Sequence, residues 1–119
     1  MWFACICGVE RDKEELQKEY KEAKVQGEVR LGTGCFFYRY FIKIRYVAYE
    51  EILKAYLREE SGESGEFLLK EYYLMIETRD GSLHKLRLER DVNAKSVLAY
   101  LENHYEHIAI GFNRPGQSK

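Results

Sequence analysis

Between Gly27 and about Asp91 the chain alternates apolar and polar residues with a period of two, and on both sides of that stretch the period becomes helical. Glu10 to Gln26 holds helix formers without glycine or proline, and Leu16, Tyr20 and Ala23 recur at i, i+4 and i+7. The stripe is thin. It predicts an exposed helix resting lightly on the domain or on a partner, with Gly27 as its stop. From Phe36 to Tyr46 the even positions are apolar or aromatic, whereas Arg39, Lys43 and Arg45 fall on odd ones, which predicts one buried and one wet sheet face. The run is long for one strand and fits either a single bent strand or two strands meeting near Tyr40 and Phe41.

Ala48 to Ile52 reads as a turn into a strand over Leu53 to Glu59, followed by a flexible surface loop at Ser61-Gly62-Glu63-Ser64-Gly65. Phe67 to Thr78 and Leu83 to Glu89 flank Asp80-Gly81, a strong hairpin signal. A two-residue turn there pairs Met75 with Leu86 and Tyr73 with Leu88 on the core face, and Ile76 with Lys85 and Leu74 with Arg87 on the other. A bulged three-residue loop shifts this pairing by one. Asp91 or Asn93 caps a closing helix whose stripe is Ala94, Val97, Leu98, Leu101, Tyr105 and Ile108. Ile108 to Phe112 then reads as extended and Asn113 to Lys119 as a frayed tail.

The predicted class is α+β: a bent antiparallel sheet or partly open barrel of about six or seven strands, capped by a C-terminal helix, with an additional N-terminal helix. The chain divides into an N-terminal segment and helix (1–27), one domain (28–112) and a tail (113–119). Composition agrees with a folded chain, at 45% apolar and 33% charged residues in 119, with a single proline. Nineteen basic against twenty acidic residues leave a net charge of −1, which speaks against nucleic acid as a partner and leaves anions to be met by a local patch. Three cysteines are an odd, sparse set for a secreted scaffold, so a reducing, cytoplasmic setting is expected. The apolar opening Met1 to Val9 lacks a preceding basic residue and is too short to span a bilayer, so it is expected to be neither signal peptide nor anchor, and any membrane contact only peripheral. Cys5-Ile6-Cys7 within it reads as a buried strand or packed tail rather than a metal site.

Cys35-Phe36-Phe37-Tyr38, followed by Val47-Ala48-Tyr49-Glu50-Glu51-Ile52, the Asp80-Gly81 hairpin and a helix running into Ile110-Gly111-Phe112, resembles bacterial pleckstrin-homology-like domains over roughly residues 28–112. The resemblance implies a bent sheet of about seven strands capped by a C-terminal helix. The N-terminal helix departs from that pattern. Eukaryotic members of the wider family hold inositol phosphates with a basic residue in the first strand and a basic-x-Arg pair in the second. Lys43-Ile44-Arg45 is similar to that pair, with only Arg30 available for the first position.

Catalysis fails on inventory. Gly32-Thr33-Gly34 lacks the lysine and following helix of a phosphate loop, and reads as a tight turn. His104 and His107 are three apart beside Glu106 with no evident third ligand, so neither metal nor cofactor is expected. Glu50-Glu51 and Glu59-Glu60 are adjacent and, in a strand, point to opposite faces rather than share a proton. The expected function is a non-catalytic protein-interaction or assembly module whose partner is a protein, this chain or another. Ten tyrosines, a residue type suited to interfaces, and the N-terminal helix motivate that expectation. The alternative is an anionic ligand, a phosphate or acidic headgroup, held by the basic strand face of Arg39, Lys43 and Arg45, interleaved with Phe37 and Phe41.

Overall fold

The computed structural model describes residues 3–6, 11–40, 42–64 and 67–112; Cys7, Phe41, Gly65 and the tail from Asn113 lie outside them. The fold is mixed α+β, with two helices and two sheets. Helix α1 spans Lys13–Glu22 and is capped by the Asp12 carboxylate, which accepts from the Glu15 amide at 3.2 Å. It is shorter than the sequence predicts, because Ala23 turns extended and Lys24–Gln26 form a strand, β2, paired with β3 (Val29–Leu31). Gly27, at φ 64°, makes the turn between them.

Strands β4 (Cys35–Tyr40) and β5 (Lys43–Ala48) resolve the open alternative: the run is two strands, an antiparallel hairpin with Tyr40 opposite Lys43. The N-terminal strand β1 (Phe3–Cys5) joins β5 in parallel, giving a five-stranded sheet in the order β1-β5-β4-β3-β2. A single 3-10 turn at Tyr49–Glu51 leads to the second sheet. There β6 (Ile52–Ser64) and β7 (Phe67–Thr78) form a long hairpin, β8 (Leu83–Leu88) pairs with β7, and β9 (Ala109–Phe112) pairs in parallel with β6. The expected single antiparallel sheet is thus replaced by two sheets, each with one parallel edge. The loop expected at Ser61 to Gly65 is strand as far as Ser64.

Helix α2 (Asp91–His104) closes the joint between the sheets. Its Ala94, Val97, Leu98 and Leu101 are buried against Val29, Phe36, Tyr38 and Val47 of one sheet and Ile52, Ala55, Leu74, Leu86 and Leu88 of the other. This is the stripe that the helical period predicts, although Tyr105 falls at the C-cap and is half-buried. The N-cap is Arg90, with no side-chain hydrogen bond, so neither Asp91 nor Asn93 takes that role.

The five-stranded sheet is buried on both faces, not one. Its second face carries Cys35, Phe37, Ile44 and Tyr46, on which α1 lays Leu16 and Tyr20, 3% and 4% exposed. Burying side chains of that size contributes roughly 1.5–3 kcal/mol each. Far from resting lightly, α1 is part of the core.

The β7–β8 hairpin keeps its predicted position and changes its register. The amide of Thr78 donates to the Ser82 carbonyl at 3.0 Å and that of Gly81 to Thr78 at 3.0 Å, with Gly81 at φ 88°. Three residues therefore form the loop, and the pairs become Leu74 with Leu86 and Tyr72 with Leu88 on the core side, Met75 with Lys85 and Tyr73 with Arg87 on the other. The bulged loop displaces the two-residue turn because only a left-handed glycine at its last position lets the chain rejoin the ladder.

Candidate functional site

The three predicted basic residues do not share a face. A two-residue turn pairs Arg39 with Ile44 and Tyr38 with Arg45, so odd positions of β4 lie on the face of even positions of β5. Arg39 belongs to the face that carries Phe37 and Ile44. Lys43 and Arg45 belong to the other, where Arg45 is near enough to His84 for its charge to reinforce burial in lowering that imidazole, against the Asp80 carboxylate. The proposed Arg39-Lys43-Arg45 stripe is not assembled.

Arg39 meets different company. Arg30 of β3 stands opposite Phe37 and shares its face, and the Arg39 amide donates to the Glu28 carbonyl at 2.9 Å. These residues line an open groove of about 690 Å³ between the β2–β3 turn and the start of α2, with Tyr20, Glu28, Arg90 and Asn93. The Arg30 guanidinium lies 4.1 Å above the Tyr20 ring and donates to the Tyr20 carbonyl at 3.2 Å. Glu28 Oε2 accepts the Glu89 amide at 2.9 Å, tying the hairpin to the β8–α2 junction. A Cβ on Gly27 would lie 2.2 Å from Asn93 Nδ2, so a side chain there would have to displace that amide as well as adopt a φ of 64°. Tyr20 Oη and Glu28 Oε1, of two residues that line the groove, are themselves shielded from it and have no hydrogen-bond partner among the described residues.

A second cluster joins Cys35, Glu19 and Arg11. Glu19 Oε2 accepts from the Gly34 amide at 3.1 Å, the Cys35 amide at 3.0 Å and Cys35 Sγ at 3.1 Å, while Arg11 Nη1 is 3.6 Å from Oε1. Burial first, then the Glu19 carboxylate, push the Cys35 thiol up to about 12, outweighing Arg11. A thiol so strongly protonated is a poor nucleophile, and the cluster works as a clasp between α1 and the β3–β4 turn. In that turn the Gly32 amide donates to the Cys35 carbonyl at 3.0 Å.

The two histidines separate. His104 stacks on Tyr100, ring centroids 4.1 Å apart, and His107 Nε2 donates to the Tyr49 carbonyl at 3.0 Å. No group of three or more His, Cys, Asp or Glu arranged to hold a metal occurs among the described residues. Glu59 and Glu60 also separate: Glu60 pairs with Arg58 and Lys85, each at 2.9 Å, and Glu59 with Lys70 at 3.6 Å. No helix among the described residues is long and apolar enough to cross a membrane.

One further surface is built by the backbone. Strand β9 covers β6 only from Lys54 to Leu57, and β8 covers β7 only from Tyr72 to Glu77. The hairpin runs on through Glu60↔Glu71, Ser61↔Lys70, Gly62↔Leu69, Glu63↔Leu68 and Ser64↔Phe67. Over these pairs it is a two-stranded ribbon, with no third strand on either edge among the described residues.

Sequence reasoning reached Arg39 and missed Arg90, Glu28, Asn93, Tyr20 and Glu19, which are spread over the chain with no motif joining them. A family model described as Domain of unknown function (DUF6709) matches residues 9–118. Neither the curated proteins nor the solved structures contain a match to the chain.

Proposed function

The chain belongs to the DUF6709 family of domains of unknown function, and we propose that it is a non-catalytic assembly module that pairs with a second copy of itself through the bare edge of β7. The observation that carries this reading is the overhang of the β6–β7 hairpin beyond both flanking strands. A two-stranded ribbon alone is marginal in water, and its free N–H and C=O groups are a template for another strand. The overhanging part of β6 is polar in sequence, Glu60-Ser61-Gly62-Glu63-Ser64. The β7 edge carries the apolar run Phe67-Leu68-Leu69. Antiparallel pairing of one β7 with its mate is isologous and closes as a dimer.

A relation to the bacterial pleckstrin-homology-like domains and a cytoplasmic location belong to the same proposal. The first is supported by the C-terminal helix laid over strands and opposed by the parallel pairs of β1 and β9. The second rests on the sparse cysteines. The alternative of an anion on the Arg39-Lys43-Arg45 face loses its geometric support with the register of β4 and β5.

Sedimentation velocity over a concentration series tests the assembly reading. A dimer that dissociates on dilution, and that becomes monomeric in Phe67→Lys/Leu69→Lys with unchanged circular dichroism, is the expected result. A chain that stays monomeric at the highest concentration refutes it.

A further inference from the structure

We propose that the edge of β5 is a peptide-binding slot held closed by the chain's own N-terminal strand, and that in trans it takes an extended segment of another protein in which an aromatic residue is followed two positions later by a small apolar one. This inference is independent of strand pairing at β7, which belongs to the other sheet.

The slot is held together without β1. Tyr20 of α1 meets Phe37 of β4 edge-on, with ring centroids 5.2 Å apart, and the Tyr46 hydroxyl of β5 accepts the Arg11 amide at 3.0 Å. Both contacts tie α1, or the residues leading into it, directly to the sheet. The site is therefore pre-formed, and an occupant meets little reorganisation. All four residues fall within 9–118, the stretch matched by the family model, whereas β1 lies before it.

β1 shows what the slot accepts. The parallel register sets Phe3 beside Ile44, Ala4 beside Arg45 and Cys5 beside Tyr46, and the Ile6 amide donates to the Tyr46 carbonyl at 3.1 Å. Backbone groups on a sheet edge take up a strand of any sequence, and pockets for alternate side chains choose which one. Here the pocket is aromatic: the Phe3 ring lies 5.7 Å from Tyr20, edge-on, and 5.8 Å from Phe37. Cys5, two residues on, packs against the same cluster. The pattern read from the occupant is aromatic-x-small.

That occupant fits loosely. Phe3, Ala4, Cys5 and Ile6 are all only half-buried, and an open cavity of about 380 Å³ adjoins β1 where Lys13 and Leu16 of α1 face it. A three-residue edge strand with so little burial opens at lower free energy than the ladder behind it. Its tether holds it at an effective concentration on the order of millimolar, so a peptide in trans competes best when β1 is weakened.

Hydrogen exchange and peptide titration on the full chain test the proposal. The Ile6 amide is expected to exchange at least tenfold faster than the amides of the β4–β5 ladder. Ala4→Pro, two residues before Ile6 and so on the same backbone edge, removes a ladder donor and frees the slot. The probe is a fluorescein-labelled peptide of residues 2–6 carrying Cys5→Ala. It is expected to saturate the Ala4→Pro chain with at least tenfold higher affinity than the parent chain, with amide shifts centred on residues 44–46. A second Phe3→Ala change in the peptide weakens it at least tenfold. Ile6 exchanging only together with the β4–β5 ladder, an Ala4→Pro chain that no longer folds or binds the peptide no better than the parent, or a peptide indifferent to Phe3→Ala overturns the proposal. A parent dimer that is lost in Ala4→Pro would mean that a second copy's strand fills the slot, which overturns a foreign peptide as its occupant.

Discussion

Replacing Glu19 by alanine removes the clasp that joins α1 to the β3–β4 turn, and the structure sets the size of the effect. The carboxylate accepts from the Cys35 amide at 3.0 Å, the Gly34 amide at 3.1 Å and the Cys35 thiol at 3.1 Å. Cys35 is fully buried, so its amide is left without water or partner, at about 1–3 kcal/mol. Gly34 is only half-buried and can turn to water, and a thiol is a weak donor, so these two losses add less than about 1 kcal/mol together. Arg11, at 3.6 Å and a third exposed, contributes a few tenths of a kcal/mol at most. The sum is a loss of about 1–4 kcal/mol, a sizeable share of the total stability of a domain of this size, and a fall in Tm of about 5–15 °C. Urea unfolding followed by tyrosine fluorescence measures it, with an unchanged m-value as the sign that the folded and unfolded states are otherwise the same. Glu19→Gln keeps one acceptor oxygen and is expected to lose about half as much. A Glu19→Ala protein within about 0.5 kcal/mol of the parent, which is the scatter of ordinary surface substitutions, refutes the clasp.

Two further outcomes follow from the structure. Cys35 has a folded pKa raised to about 12, so between the unfolded thiol's value of about 8.5 and that point the native state holds a proton the unfolded chain has released. Stability is therefore full below about pH 8.5 and declines as pH rises towards 12; Tyr49 and Tyr105, also raised, act in the same direction at higher pH. Denaturation curves at stepped pH show it, and a Cys35→Ala protein has a shallower decline. Gly81→Ala fills open space but forces a β-carbon onto φ 88°, and is expected to lose about 1–2 kcal/mol in thermal melts. A neutral result would mean that the three-residue loop is not the native one.

Arg39 shows how far the sequence reached into the groove. Its position on a polar face of an alternating strand marked it as a candidate, and it does line the groove. Its supposed companions, Lys43 and Arg45, were grouped with it on the parity of one continuous strand. The turn at the β4–β5 junction reverses parity, and nothing in the residues there fixes the number of turn positions. The real companions, Arg30, Arg90 and Glu28, come together only because α2 and the β2–β3 hairpin pack at one corner. The same limit explains α1: a stripe of Leu16, Tyr20 and Ala23 looks too thin to hold a helix, until the opposite sheet face is seen to offer Phe37, Ile44 and Tyr46.

What the sequence determined by itself is local. Period-two alternation, the Asp80-Gly81 turn and the Ala94-Val97-Leu98-Leu101 stripe dictate strands, a hairpin and an amphipathic helix, since each rests on backbone geometry and burial within a few residues. Tertiary structure alone decided how many sheets those strands make, that β1 and β9 add in parallel, which register the hairpins take, and that both faces of the first sheet are buried. These depend on contacts between residues far apart in the chain, where packing against a distant partner settles choices that neighbouring residues leave nearly equal in free energy.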